Sequence, residues 1–391
     1  MPCRPRISRD RPERSPVTAP RIPSGKGTWL DPTWRSGALA WVEATLSGVG
    51  RRVSGPVEQP HVRPWSTAMR IPTEEGAIWF KATGPGTAHE GPLLELFRRL
   101  GVARVVLPLA VHPERSWLLF DDAEPTLRAT RPDGLGDHDL VAWERILAEY
   151  AVLQRFVERD TSTMLAVDTP DGRPERLPGE LDRLLDDDRV WGLVTADERA
   201  AADAARDRLR RARGLLRDSI DALATTGIAA TIQHDDLHGG NIVVGPEGDR
   251  FFDWGDAVIA LPFSTLTVTF NSIAHRTGRT HDDPAFVRLR DVYLEAWTDV
   301  ASRDALADAE RLAGDLGCIG RALAWERSLG DLAPDQMDGQ GDAVAGWLME
   351  FAERLDGPSW QRGPGSKPIG AVERTTNEQQ TAALKRAASD A

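Results

Sequence analysis

Cysteine is nearly absent from this 391-residue chain, with two in all, Cys3 and Cys318. Two such distant thiols exclude a disulfide framework and a cysteine-built metal centre, and fit a reducing, cytoplasmic setting. No apolar run approaches the roughly 20 residues a helix needs to cross a bilayer. The arginine- and proline-rich start has no apolar segment behind it to form a signal peptide, so no membrane role is expected. Positive charge is also scarce: 48 Lys and Arg against 60 Asp and Glu leave a net charge of −12. That balance argues against general nucleic-acid binding, which needs a basic surface to neutralise phosphates. A G-x-x-x-x-G-K-[ST] loop and any internal repeat are missing as well.

A hydrophobic content of 41% is enough to bury a sizeable core, and the length predicts two subdomains or one bilobal domain. Residues 1–29 are predicted to be a disordered basic arm and 357–391 a disordered polar tail, because neither can offset its ordering entropy by apolar burial. Asp31 before Pro32 marks a helix start, with the helix closing near Gly48. Short strands follow from Val53. Ala77 to Lys81 reads as a strand ending in a lysine, and Glu90 to Leu100 as an amphipathic helix. The apolar run from Val105 to Val111 predicts another strand, and Ser116 to Asp122 a buried one that runs into acids. Beyond residue 137 the pattern turns helical, first over 140–156. Thr195 and Glu198 form a capping-box start for one charged helix to about residue 224. Four further helices are predicted at 263–273, 286–300, 305–329 and 344–355, with Trp297, Trp325 and Trp347 as core anchors.

The chemistry concentrates in residues 231–256, TIQHDDLHGGNIVVGPEGDRFFDWGD, predicted to form a β-hairpin-like frame around a polar loop. Asn241 lies five positions after Asp236, and Asp253 opens an Asp-Trp-Gly triplet. Phosphoryl transfer needs one carboxylate to orient the attacking hydroxyl, and an amide oxygen with a second carboxylate to hold Mg²⁺ against nucleotide phosphates. Asp236, Asn241 and Asp253 suit those three roles. Upstream, a strand lysine and helix glutamate, Lys81 and Glu90, can pair so that the ammonium is aimed at phosphates. The 116–122 strand leads to a hinge at Phe120 and Asp121 whose backbone can bond a purine.

His234-Asp235-Asp236-Leu237-His238-Gly239-Gly240-Asn241, followed by Phe252-Asp253-Trp254, resembles the aminoglycoside phosphotransferase and choline kinase-like family. The resemblance implies an α+β, bilobal, protein-kinase-like fold, with a small β-rich N-terminal lobe over 30–122 and a larger, mostly helical C-terminal lobe over 123–356. It further implies ATP and Mg²⁺ between the lobes, with a small-molecule hydroxyl acceptor beside the helical lobe and no obligate protein partner. On this resemblance Asp236 is the catalytic base, Asn241 and Asp253 hold the metal, and Lys81, steadied by Glu90, contacts the phosphates. His234 and His238 order the loop. The chain departs from the family pattern in two places. Asp235 stands where glycine is usual and is expected to turn into a backbone or arginine contact; the alternative is that, with Asp256, it attracts a cationic acceptor. No G-x-G-x-x-G covers the phosphates, and Ser66 and Thr67 occupy the expected position of that loop. An aminoglycoside, a sugar or an amino alcohol is a compatible acceptor. The rival reading is a nucleotide-binding pseudokinase scaffold, which predicts erosion of the base or metal ligands; here all three remain.

Overall fold

Residues 22–122, 125–357 and 360 are described by a computed structural model. The small lobe starts earlier than expected. α1 (Lys26–Leu30) buries Trp29, whose indole donates to the Arg63 carbonyl at 2.8 Å. Residues 26–29 are therefore structured and are not part of a disordered arm. Residues 1–21 of that arm, and the expected tail apart from Gly357 and Trp360, lie outside the described residues. Asp31 caps α2 (Pro32–Gly48), accepting from the Trp34 amide at 2.8 Å with Pro32 in the first turn, as the spacing predicts.

Five antiparallel strands follow, β1 (Glu58–Val62), β2 (Ser66–Thr73), β3 (Gly76–Thr83), β4 (Ala110–Val111) and β5 (Trp117–Asp121), in the spatial order β1-β2-β3-β5-β4. Alternation along β3 positions the site: Ile78, Phe80 and Ala82 pack with Trp29, Val42 and Leu46, while Lys81 faces the other way. There it meets α3 (Glu90–Leu100), which buries Leu93, Leu94, Leu96 and Phe97 and ends at left-handed Gly101. The strand expected from Val105 shrinks to Ala110–Val111. Arg104 has φ 64°, Pro108 has no amide to donate, and the Val106 amide bonds the Phe251 carbonyl in the other lobe at 3.0 Å.

The larger lobe is mostly helical: α4 (Asp137–Val157), α5 (Thr161–Leu165), α6 (Leu177–Asp186), α7 (Asp188–Gly192), α8 (Arg199–Arg211), α9 (Arg213–Ala224), α10 (Leu266–Thr277), α11 (Pro284–Leu294), α12 (Arg303–Leu329) and α13 (Ala343–Arg354). The single charged helix expected after Thr195 is two, α8 and α9, broken at Ala212 just before the weak helix former Gly214. Trp297 is fully buried, whereas Trp325 and Trp347 sit half-buried at the core's edge. The hairpin-like frame also needs correcting. β6 (Thr231–Gln233) pairs with β9 (Val258–Ala260), while β7 (Ile242–Val243) pairs with β8 (Arg250–Phe251). The polar loop and Asp253 thus lie between two ribbons.

The lobes meet around α12. Trp65 packs edge-on against Trp325 with ring centroids 5.3 Å apart, and Lys26 bridges to Asp338 at 2.6 Å. A Cβ on Gly86 would lie 2.0 Å from the Arg327 carbonyl oxygen, so only glycine permits this approach. No helix among the described residues is long and apolar enough to cross a membrane.

Candidate active site

Buried β6 delivers the polar loop. The Tyr150 hydroxyl accepts from the His234 amide at 2.8 Å, and His234 Nε2 bonds the Phe252 carbonyl at 2.8 Å, tying the loop to the segment that carries Asp253. Burial pushes the His234 pKa down, keeping the ring neutral against Trp254. Asp236 has one carboxylate oxygen 3.2 Å from Asn241 Nδ2 and 3.5 Å from His238 Nε2. His238 Nδ1 accepts from the Gly240 amide at 3.0 Å, which puts the ring proton on Nε2, facing Asp236. The Asp236 side chain stays 30% exposed, anchored on one oxygen with the other free to meet a substrate.

Lys81 Nζ lies 2.6 Å from Glu90 and 2.5 Å from Asp253. Burial opposes its charge most strongly, but Asp253 and Glu90 together outweigh it and raise its pKa. Glu90 is fully buried and also accepts from the Trp254 amide at 3.1 Å, so α3, β3 and the Asp253 segment meet at one point. Although 44% of the Asp253 side chain reaches solvent, the protein packed around it removes enough water to favour the neutral form, and Lys81 outweighs that and holds its pKa below the usual carboxylate range. Asp253 has φ 65°, a left-handed conformation that aspartate tolerates better than most residues.

Other expected residues fall differently. β2–β3 register places Ser66 opposite Thr83 and Ala68 opposite Lys81, so Ser66 shares the Lys81 face. Thr67 does not: it faces the small-lobe core, donating to the His61 carbonyl and accepting from Gln59. Phe120 shares the Lys81 face of the sheet, while the Asp121 carboxylate pairs with Arg51 at 2.5 Å. That contact commits the Asp121 side chain and leaves only its backbone for a hinge role.

Asp235 turns into an arginine contact. It is buried, with φ 61°, a conformation that accounts for glycine being usual at this position. Arg321 of α12 donates to its carbonyl at 2.9 Å and to Asp256 Oδ2 at 3.0 Å, and lies 3.5 Å from the Asp235 carboxylate. Asp256 is thus held by Arg321, while Asp235 lies buried against the same guanidinium with its Oδ2 lacking a hydrogen bond among the described residues. Nothing in the local sequence points to Arg321, which sits inside a long amphipathic helix; neither does it mark Arg128, a half-buried guanidinium close enough to bear on Asp236.

Burial, opposed by Arg321 and reinforced by Asp256, lifts the Asp235 pKa from 3.8 to about 7. The folded chain therefore holds this proton more tightly than the unfolded chain. Its contribution to stability falls as pH rises from about 4 to about 7 and is level above that. Asp235→Asn, which keeps left-handed tolerance and removes the charge, is expected to melt higher than the native protein by a margin that grows from pH 5 to pH 8. Thermal melts across that range check this, and a pH-independent margin would contradict it.

The sequence profile described as the phosphotransferase enzyme family matches residues 86–309, more than half of the chain. The chain belongs to that family. Comparison with curated proteins finds no match. The phosphotransferase is similar in fold to a choline/ethanolamine kinase family protein from Mesorhizobium loti, with TM-score 0.53 and 13% identity over 83% of this chain and 97% of that one. A choline kinase from Cryptosporidium parvum gives 0.51 and 12% over 82% and 96%, and a macrolide 2'-phosphotransferase type I gives 0.50 and 15% over 81% and 96%. At such identities the likeness is one of fold. It agrees with the bilobal α+β architecture and with the family that the loop residues resemble.

Proposed function

We propose that this phosphotransferase moves the γ-phosphoryl group of ATP to a hydroxyl of a small molecule, with Mg²⁺ as its metal. One observation carries the reading: Lys81 and Asp253 meet at 2.5 Å from opposite lobes, while the neighbouring loop sets Asn241 against Asp236. The donor chemistry fits Mg²⁺. Asn241 directs its amide nitrogen to Asp236, leaving its side-chain oxygen without a donor among the described residues; its backbone carbonyl accepts from the Phe252 amide at 3.1 Å, next to Asp253, whose side chain is 44% exposed. Among the described residues no three or more His, Cys, Asp or Glu side chains form a cage of their own. That suits a hard cation held by few protein oxygens together with phosphates. When bound, such a metal supplies charge neutralisation at the transferring phosphoryl group.

The chain's own residues do the rest. Lys81, held by Glu90, presents its ammonium to the phosphates in place of Asp253. Asp236 orients the acceptor hydroxyl and takes its proton, while His238 and Asn241 fix the carboxylate. Because Arg321 engages Asp235 and Asp256, these acids give no special support to a polycationic aminoglycoside. A sugar or amino alcohol is equally suited. The scaffold reading predicts loss of the base or metal ligands and draws no support, since Asp236, Asn241 and Asp253 are all retained in the sequence. Turnover of Mg-ATP against a panel of hydroxyl acceptors tests the proposal; the expected result is acceptor-dependent ADP with a phosphorylated product. Tight nucleotide binding without any such product would overturn it.

A further inference from the structure

Three successive carbonyls of the polar loop each accept a side-chain hydrogen bond. Asn241 Nδ2 donates to the carbonyl of Asp236 at 2.9 Å, and Thr269 Oγ1 of α10 to that of Leu237 at 2.8 Å. Arg321 Nη1 of α12 donates to the carbonyl of Asp235 at 2.9 Å. A carbonyl is half of a planar unit whose other half is the next residue's amide, so the Arg321 bond fixes the peptide that leads into Asp236. The same nitrogen donates to Asp256 Oδ2 at 3.0 Å. Asp256 ends the short turn Trp254–Asp256, which begins directly after Asp253. One guanidinium nitrogen thus ties the peptide before Asp236 to the turn after Asp253.

α12 reaches this deep because it is bare one turn earlier. A Cβ on Gly317, four residues before Arg321 and so on the same face, would lie 3.2 Å from Thr267 Oγ1 and 3.4 Å from the Ser264 carbonyl oxygen. Arg321 is 7% exposed, and its Cζ lies 5.9 Å from the centroid of the Trp347 ring, so packing leaves the side chain little freedom. Burial is the largest influence on its charge and opposes it, but Asp256, Asp235 and Asp236 together outweigh burial and raise its pKa. The donor therefore stays charged at any pH at which the protein is folded.

We propose that Arg321 is a positioning residue of phosphoryl transfer, which acts through Asp236 by holding the peptide between Asp235 and Asp236 and is itself braced by Asp256. The inference rests on the reading of Asp236 as the base. A misplacement of about 1 Å in a reacting group can cost about a hundredfold in rate, so a residue that never meets substrate can still control kcat.

The test is a double-mutant cycle on the full chain, reading label released from γ-labelled ATP to the best acceptor of the hydroxyl panel, or to water where none reacts. Arg321→Lys keeps the charge but ends one bond short of Nη1. It is expected to lower kcat at least tenfold with the KM for ATP changed less than threefold, and to change the remaining rate of Asp236→Asn less than threefold. Asp256→Ala, at a half-buried position, removes only the brace. It is expected to lower kcat at least threefold with the same non-additivity, and serves if the lysine variant does not fold. Rates are referred to Mg-ADP sites counted by calorimetry, so that lost folded protein does not pass for lost kcat. A native kcat in the folded variants, or an equal loss with and without the Asp236 carboxylate, overturns the inference and leaves the base in place. A native rate in Asp236→Asn alone, or no labelled product from the native protein, overturns the catalytic reading and this inference with it.

Discussion

Asp236→Asn is expected to lower kcat by about 10²- to 10⁴-fold, the range that loss of a positioned general base produces. Asparagine preserves the shape and retains one oxygen for Asn241, which donates to Asp236 at 3.2 Å, so the loop stays in place while the proton acceptor is lost. Lys81, Glu90 and Asp253 form their own cluster, and the KM for ATP is therefore expected to change less than threefold. Steady-state kinetics with a competent acceptor read both quantities. A variant that kept its kcat would remove Asp236 from the mechanism; one whose KM for ATP rose while kcat held would make it a nucleotide-binding residue.

The second large effect is expected at Asp253. Asp253→Asn keeps a side chain suited to φ 65° but removes the charge that faces Lys81 at 2.5 Å. Losing this electrostatic group is expected to lower kcat by about 10²- to 10³-fold and to raise the Mg²⁺ concentration needed for half-maximal activity at least tenfold. Alanine is the poorer test, since it adds left-handed strain to the loss of charge. Activity measured over a Mg²⁺ titration separates the two roles. An unchanged Mg²⁺ midpoint with reduced kcat would leave Asp253 as a partner of Lys81 alone.

The parts of this site legible in the sequence were those with short-range signatures. Asp31-Pro32 announced α2, the D-x-x-x-x-N spacing placed Asp236 beside Asn241, and a strand lysine followed by a helix glutamate found the Lys81–Glu90 pair, 2.6 Å apart in the fold. What escaped depends on contacts between residues distant in the chain. β6 pairs with β9 rather than with its nearest apolar neighbour, because β7 is taken by β8 across a tight turn. The Val105 run looked like a strand by composition, yet Arg104 and Pro108 break it and its amides bond elsewhere. Thr67 has the right chemistry for a phosphate and the wrong face of the sheet, a parity that only the β2–β3 register reveals. Arg321 was invisible for a different reason: an arginine on a helix is normally a solvated residue, and here α12 turns it toward acids supplied by other elements.

Phosphoryl transfer from ATP to a hydroxyl oriented by Asp236 is the step on which the proposed function turns. Its most direct test follows γ-labelled ATP into product, with Mg²⁺ and a panel of hydroxyl acceptors, comparing the native enzyme with Asp236→Asn. The prediction is label on the acceptor oxygen for the native enzyme and a loss of at least a hundredfold in the variant. Label transfer at the native rate by Asp236→Asn, or ATP bound by the native enzyme with no label reaching any acceptor, would contradict it.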